Sequence, residues 1–168
     1  MKEQDKCDAV DKLIGQWGVE RPELNTSAMA TIGRLKRCMA LIKPKLEKVY
    51  AEFSLASWEF DVLATLLRSG SPYCLAPTEL YSSLMITSGT ITNRMNRLEA
   101  RGLVTRITNT KDARSKLLQL SPEGIELIDR AVEAHVHNET SILSSISDEC
   151  IKELDSSLKS LLISLEGK

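Results

Sequence analysis

The sequence is short of several things at once. Aromatic side chains make up only 4% of its 168 residues, glycine occurs eight times, and neither Asn-Gly nor Asp-Gly is present. Those dipeptides close tight hairpins and aromatic residues favour strands, so their scarcity shifts the balance toward helix. No apolar run approaches the roughly 20 residues that cross a bilayer, and the opening MKEQDKCD lacks the apolar core of a secretory signal, so we expect a cytoplasmic protein without a membrane partner. Cys7, Cys38, Cys74 and Cys150 form no Cys-x-x-C pair, which points to reduced thiols rather than a zinc or redox centre. His135 and His137 stand two apart and face different ways on a helix, which argues against a metal site. With no nucleophile–base spacing and no Gly-rich phosphate loop, neither catalytic residues nor a cofactor is expected.

What remains is 42% hydrophobic and 27% charged, enough for one domain, 1–168, with a core of its own. Net charge is only −1, but it is unevenly spread. Between Ile86 and Lys116 seven basic residues face two acidic ones, a net of +5 that leaves −6 for the rest. One basic module flanked by acidic helices is the pattern expected where only that module touches phosphate.

Apolar spacing divides the chain. Val10, Leu13, Ile14 and Trp17 predict a short helix from about Asp5, broken at Arg21-Pro22. From Thr26 to about Glu52 the stripe Met29, Ile32, Leu35, Met39, Ile42, Leu46 and Val49 predicts a long, largely buried helix, with Pro44 a kink or interruption. Ser57 is placed to cap a third helix through Leu67. Next, Pro77 opens a helix through Leu84, Thr87 or Ser88 opens a second, and Gly102 ends it after Arg101, which is helix-turn-helix spacing. Leu103–Ile107 and Lys116–Leu120 read as strands around the basic tip Thr108–Arg114, a β-hairpin wing. Two further helices follow, one from Ser121-Pro122-Glu123 to about Leu143 and one from Ser147 with the stripe Ile151, Leu154, Leu158, Leu161, Leu162 and Leu165. The expected fold is mainly α with a small wing: a winged helix-turn-helix at 57–121, with 1–56 and 122–168 forming a helical dimerisation region.

On the second helix of that pair, Ile91, Met95 and Leu98 form an inner face and leave Thr92, Asn93, Asn96 and Arg97 outward. Short hydrogen-bonding side chains let a helix reach base edges, and amides at its N-terminus can hold a phosphate. Thr87, Ser88, Thr90, Thr92, Asn93 and Arg97 meet that need, and Lys111 and Arg114 on the wing tip suit an adjacent minor groove. Double-stranded DNA is the partner this arrangement implies.

The stretches FDVLATLLRSG, TSGTITNRMNRLEARGLVTR and NTKDARSKLLQLSPEG, from Phe60 to Gly124, resemble the MarR family of winged-helix transcription regulators. That resemblance implies a homodimer with interlocked terminal helices and one recognition helix per protomer in the major groove of a pseudo-palindromic operator. The wing departs from the usual Asp-x-Arg-Asp-x-Arg: Asn109 and Lys111 stand at the first and third places, while Asp112 and Arg114 are retained.

Arg94 falls on the inward face of its helix, and a buried guanidinium needs an anionic partner. Asp61, a carboxylate inside the apolar run Phe60–Leu63, is a candidate to meet it in the core, Arg106 is a second candidate partner for Asp61, and Trp17 offers a flat apolar face. Trp17, Asp61, Arg94 and Arg106 together resemble the effector pocket of the urate-responsive, PecS-like subgroup of the MarR family, which also carries an additional N-terminal helix. The resemblance implies a repressor whose DNA affinity falls when a planar anion such as urate stacks on Trp17, is clamped by Arg94, repels Asp61 and competes for Arg106. A regulator responding to another aromatic acid, or to oxidation of Cys38 beside Arg37, is the alternative.

Overall fold

The computed structural model describes residues 7–84, 91–109 and 115–167. In chain order its elements are α1 (Ala9–Glu20), α2 (Ser27–Glu52), α3 (Ser57–Arg68), β1 (Cys74–Leu75), α4 (Pro77–Leu84), α5 (Ile91–Ala100), β2 (Val104–Thr108), β3 (Lys116–Leu120), α6 (Pro122–Leu143) and α7 (Asp148–Glu166). The chain divides into two compact units, Met1–Lys45 and Leu46–Lys168, and the division falls inside α2.

In the first unit α1 starts at Ala9 rather than Asp5, because Asp8 caps it. The Asp8 carboxylate accepts from the amides of Val10 (2.7 Å) and Asp11 (2.8 Å), and Asp11 accepts from the Asp8 amide at 2.9 Å. This reciprocal box satisfies donors that the first turn leaves unpaired. The Asp11 amide, then the Arg34 guanidinium, hold the Asp8 carboxyl below the ordinary carboxylate range. Arg34 bridges from α2 to both Asp8 and Asp11. Gly33 lets α2 come close to buried Val10, since a methyl there would sit 3.2 Å from a valine methyl.

Of the expectations for α2, an interruption at Pro44 and extensive burial are not met. The helix runs through Pro44 without interruption, and of its residues only Tyr50 is buried, whereas Met29, Ile32 and Met39 are exposed. The apolar stripe exists, but a single chain does not cover it.

The second unit's core takes in Leu98, on the inner face expected of its helix. Leu63 and Leu66 of α3, Leu80 of α4, Leu98 of α5, Leu118 of β3 and Ile128 of α6 are fully buried together. Each contributes on the order of 2 kcal/mol by area, an upper figure because the unfolded chain already hides some surface. The cap of α3 is Ala56, one residue before Ser57, so that Glu59 accepts the Ala56 amide at 2.8 Å. The sheet is antiparallel in the order β1-β3-β2, with Val104 opposite Leu120 and Thr108 opposite Lys116. β1 is an addition to the expected hairpin: Cys74 and Leu75 pair with Gln119 and Leu118. Ser121 anchors the exit from the wing, its hydroxyl donating to the Gly102 carbonyl at 2.7 Å and accepting the Gly124 amide at 2.9 Å. A β-carbon on Gly124 would lie 2.0 Å from the Leu103 carbonyl oxygen, so no other residue fits that crossing.

Candidate nucleic-acid interface and neighbouring cavity

The helix α5 is held from below. Met95 and Leu98 are buried while Asn93, Asn96 and Arg97 are exposed, the division its spacing required. Thr87, Ser88, Thr90, Lys111 and Arg114, with the side chain of Thr92, lie outside the described residues. Asn93 and Arg97 are therefore the sequence-predicted DNA contacts that the structure positions.

Ion pairs fix the helix at its far end. Arg101, just beyond α5, bonds Glu59 of α3 at 2.8 Å, and the Glu59 side chain is only 5% exposed. Arg106 on β2 reaches back to α5, pairing with Glu99 at 3.3 Å and donating to Asn96. Its expected link to Asp61 is not made: it lies two residues into β2, and its partners are the exposed carboxylate and amide of α5. Asn96, turned outward as expected, is already engaged by Arg106 and so is occupied in this state.

Arg94 and Asp61 do influence each other, but near the surface rather than in the core. Arg94 is half-buried and lies over the Trp58 ring, its Cζ 5.3 Å from the centroid, and Arg97 shares that ring at 5.4 Å. Asp61 is exposed as a residue yet lines a cavity of about 460 Å³ with Tyr50, Phe60, Arg68, His135 and Glu139. Desolvation raises the pKa of its carboxyl above the ordinary value, with Arg94, His135 and Arg68 pulling the other way. Arg94 and Arg106 are not among the residues lining this cavity. Trp17, 40% exposed, stands on α1 in the first unit.

Several of these residues escaped the sequence reading. His135 accepts or donates at Nδ1 with the Tyr50 hydroxyl (3.2 Å), pairs through Nε2 with Glu139 (3.2 Å), and stacks obliquely on Tyr50 and Phe60. The Tyr50 phenol is pushed up to about 12 by burial first, then by Asp61 and Glu139. A cavity of this size, walled about equally by polar and apolar side chains, falls within the size range of small-molecule sites. Glu59 was legible as the third residue of a helix capped at Ala56, had the cap been set one residue earlier.

A MarR family model matches residues 53–115, which run from α3 through β2. The HTH-type transcriptional regulator PecS of Dickeya dadantii (strain 3937) is 44% identical over 140 residues, covering 83% of this chain and 84% of its own. The chain belongs to the MarR family. It is a DNA-binding transcription regulator and not an enzyme. Among solved structures, AbsC, a MarR family regulator from Streptomyces coelicolor, superposes with a TM-score of 0.74 at 23% identity, covering 86% of this chain and 97% of that one. A mutant MarR from E. coli complexed with operator DNA gives 0.70 at 22% identity, covering 82% and 97%. At such identities these two show the fold. In this MarR-family chain, then, α4 and α5 are the helix-turn-helix, β2 and β3 are the wing strands, and the cavity at Asp61 is lined from α2, α3, α4 and α6.

Proposed function

We propose that this MarR-family protein represses transcription by binding a pseudo-palindromic operator as a homodimer, and that a small planar anion, with urate the first candidate, weakens that binding. The observation that carries the DNA half is α5 itself: buried Met95 and Leu98 fix it, and exposed Asn93 and Arg97 face away from the core. Superposition on a MarR bound to operator DNA supports the same use of this helix. Thr87, Ser88, Thr90, Thr92, Lys111 and Arg114 complete the proposed contact set. The dimer is supported by α7, on which no residue is buried while its leucines are 36–75% exposed, a stripe that suits a second copy.

The effector half rests on Asp61, which joins a cavity on one side to Arg94 on the other. An anion entering there meets a carboxylate already desolvated and draws on the same guanidinium that offsets it. The sequence resemblance to the urate-responsive subgroup makes urate the first compound to try, with Arg106 as the wing's cation. With Arg106 engaged by Glu99 and Asn96, the signal passes from Asp61 through Arg94 to α5 rather than by a direct Asp61–Arg106 link.

The test is a titration of a promoter fragment with and without saturating urate, repeated with Asp61→Asn. Attenuation in the wild type that changes in the variant supports the reading. Unchanged operator affinity and unchanged melting temperature in urate overturn the effector assignment and leave DNA binding standing.

A further inference from the structure

Trp58 and Asp61 stand three residues apart on α3, as Arg94 and Arg97 do on α5, so each pair shares a face of its helix. Both guanidiniums meet one indole, at 5.3 and 5.4 Å from its centroid. Two like charges on one ring is an arrangement that needs a reason. The indole quadrupole attracts each cation, and a half-buried ring does so with less screening than water would impose. Among the described residues, the ion pairs that tie α5 in place use Arg101 and Arg106 and leave Arg94 and Arg97 to the ring.

We infer that Trp58 is a positioning residue for DNA binding: its ring holds the Arg97 guanidinium at one place on the exposed side of α5, and Arg94 shares that ring. The inference rests on the reading of Arg97 as a DNA contact. A free arginine gives up rotamer freedom when it docks on a phosphate or base, and a ring that has already restrained it removes part of that cost. Arg94 is at the same time drawn by Asp61, so the charge at the cavity sets how the two cations divide the indole. Trp58 thereby touches both the cation drawn by Asp61 and the cation read as a DNA contact.

The experiment is a double-mutant cycle on a duplex that the wild-type chain selects from a random library. Trp58→Leu is expected to weaken binding about two- to five-fold, the worth of a partly exposed cation–π contact. Arg97→Gln weakens it further, and the double variant binds no worse than Arg97→Gln alone. Trp58→Phe, which keeps a ring, stays within about two-fold of wild type on the same scale. A tryptophan that served only as packing gives additive losses, and additivity overturns the inference while leaving Arg97 a DNA contact. If Arg97→Gln binds as tightly as wild type, the DNA reading of Arg97 fails and the inference goes with it. Should Trp58→Leu not fold, indole emission decides: in a Trp17→Phe protein Trp58 is the only tryptophan, and Arg97→Gln must change its emission or acrylamide quenching. An unchanged signal overturns the contact.

Discussion

The helices α5 and α7 are both amphipathic, yet they treat their apolar faces in opposite ways. On α5 Met95 and Leu98 are buried against the winged unit, and Asn93, Asn96 and Arg97 are exposed. On α7 Leu154, Leu158, Leu161, Leu162 and Leu165 all stay exposed, and nothing on that helix is buried. The winged unit thus hides its own hydrophobic surface, while the terminal helix leaves uncovered within one chain the stripe that the proposed second copy would hide. A folded but monomeric chain would keep the winged unit's core and leave the α7 stripe uncovered, so substitutions can pull the two regions apart.

The largest effect is expected where the self-contained region is tightest. Gly124→Ala forces a methyl into the space of the Leu103 carbonyl oxygen, and backbone on both sides has little room to give. We expect a loss of at least about 3 kcal/mol, the upper end for overpacking, read by urea unfolding. A loss below about 1 kcal/mol would mean that α6 shifts freely on the wing, against the anchoring drawn from Ser121.

Next comes the surface that the chain leaves open. The pair Leu158→Asp and Leu162→Asp, one turn apart on α7, puts carboxylates in the middle of the stripe. Each leucine buried in the proposed dimer is worth about 1.5–3 kcal/mol, so that association should weaken by about 100-fold or more in sedimentation velocity. Helix content measured by circular dichroism should hold. A variant that remains dimeric would assign the α7 stripe some other role and move the interface elsewhere.

A smaller loss tests how α5 is clamped from behind. Arg101→Met strands the buried Glu59 carboxylate. Breaking a fully buried pair costs about 3–5 kcal/mol, but Arg101 is about a third exposed, so we expect about 2 kcal/mol. Adding Glu59→Gln should recover part of that, because the stranded charge is gone. If the double variant is as unstable as the two single losses added together, the pair is not coupled and the clamp on α5 lies elsewhere.

How much of this was visible beforehand follows from what a repeating pattern can carry. The 3.6-residue stripe in Met95–Leu98 and Ile125–Ile128 located part of the core, and Ser121-Pro122 and Ser147 located the starts of α6 and α7. Asp61 and Arg94 stood out because charge on an apolar face is anomalous, and the structure does bring them within electrostatic range. Periodicity gives a face but not a depth, which is why both were expected in the core and are found near its edge. It also says which side of a helix is apolar but not whether the same chain covers it, which is why α2 was expected to be buried. His135 and Tyr50, 85 residues apart, and Trp58 with its two arginines meet only through the tertiary fold, and no local spacing encodes such a meeting.

The smallest effect is also the one that separates chemistry from packing at the cavity. Desolvation raises the Asp61 pKa in the folded chain, so the native state favours the protonated carboxyl. Its contribution is complete below the ordinary carboxylate value of 3.8 and is lost as pH rises through the folded value, which leaves charged Asp61 a net cost at pH 7. Asp61→Asn carries the neutral form at every pH. It should raise the melting temperature at pH 7 by no more than about 2 °C, solvent at this exposed residue keeping the gain small, and the gain should vanish on acidification toward 3.8. A variant less stable than wild type at pH 7 would show that attraction to Arg94 outweighs desolvation, and the cavity would then be poised to repel anions less than proposed.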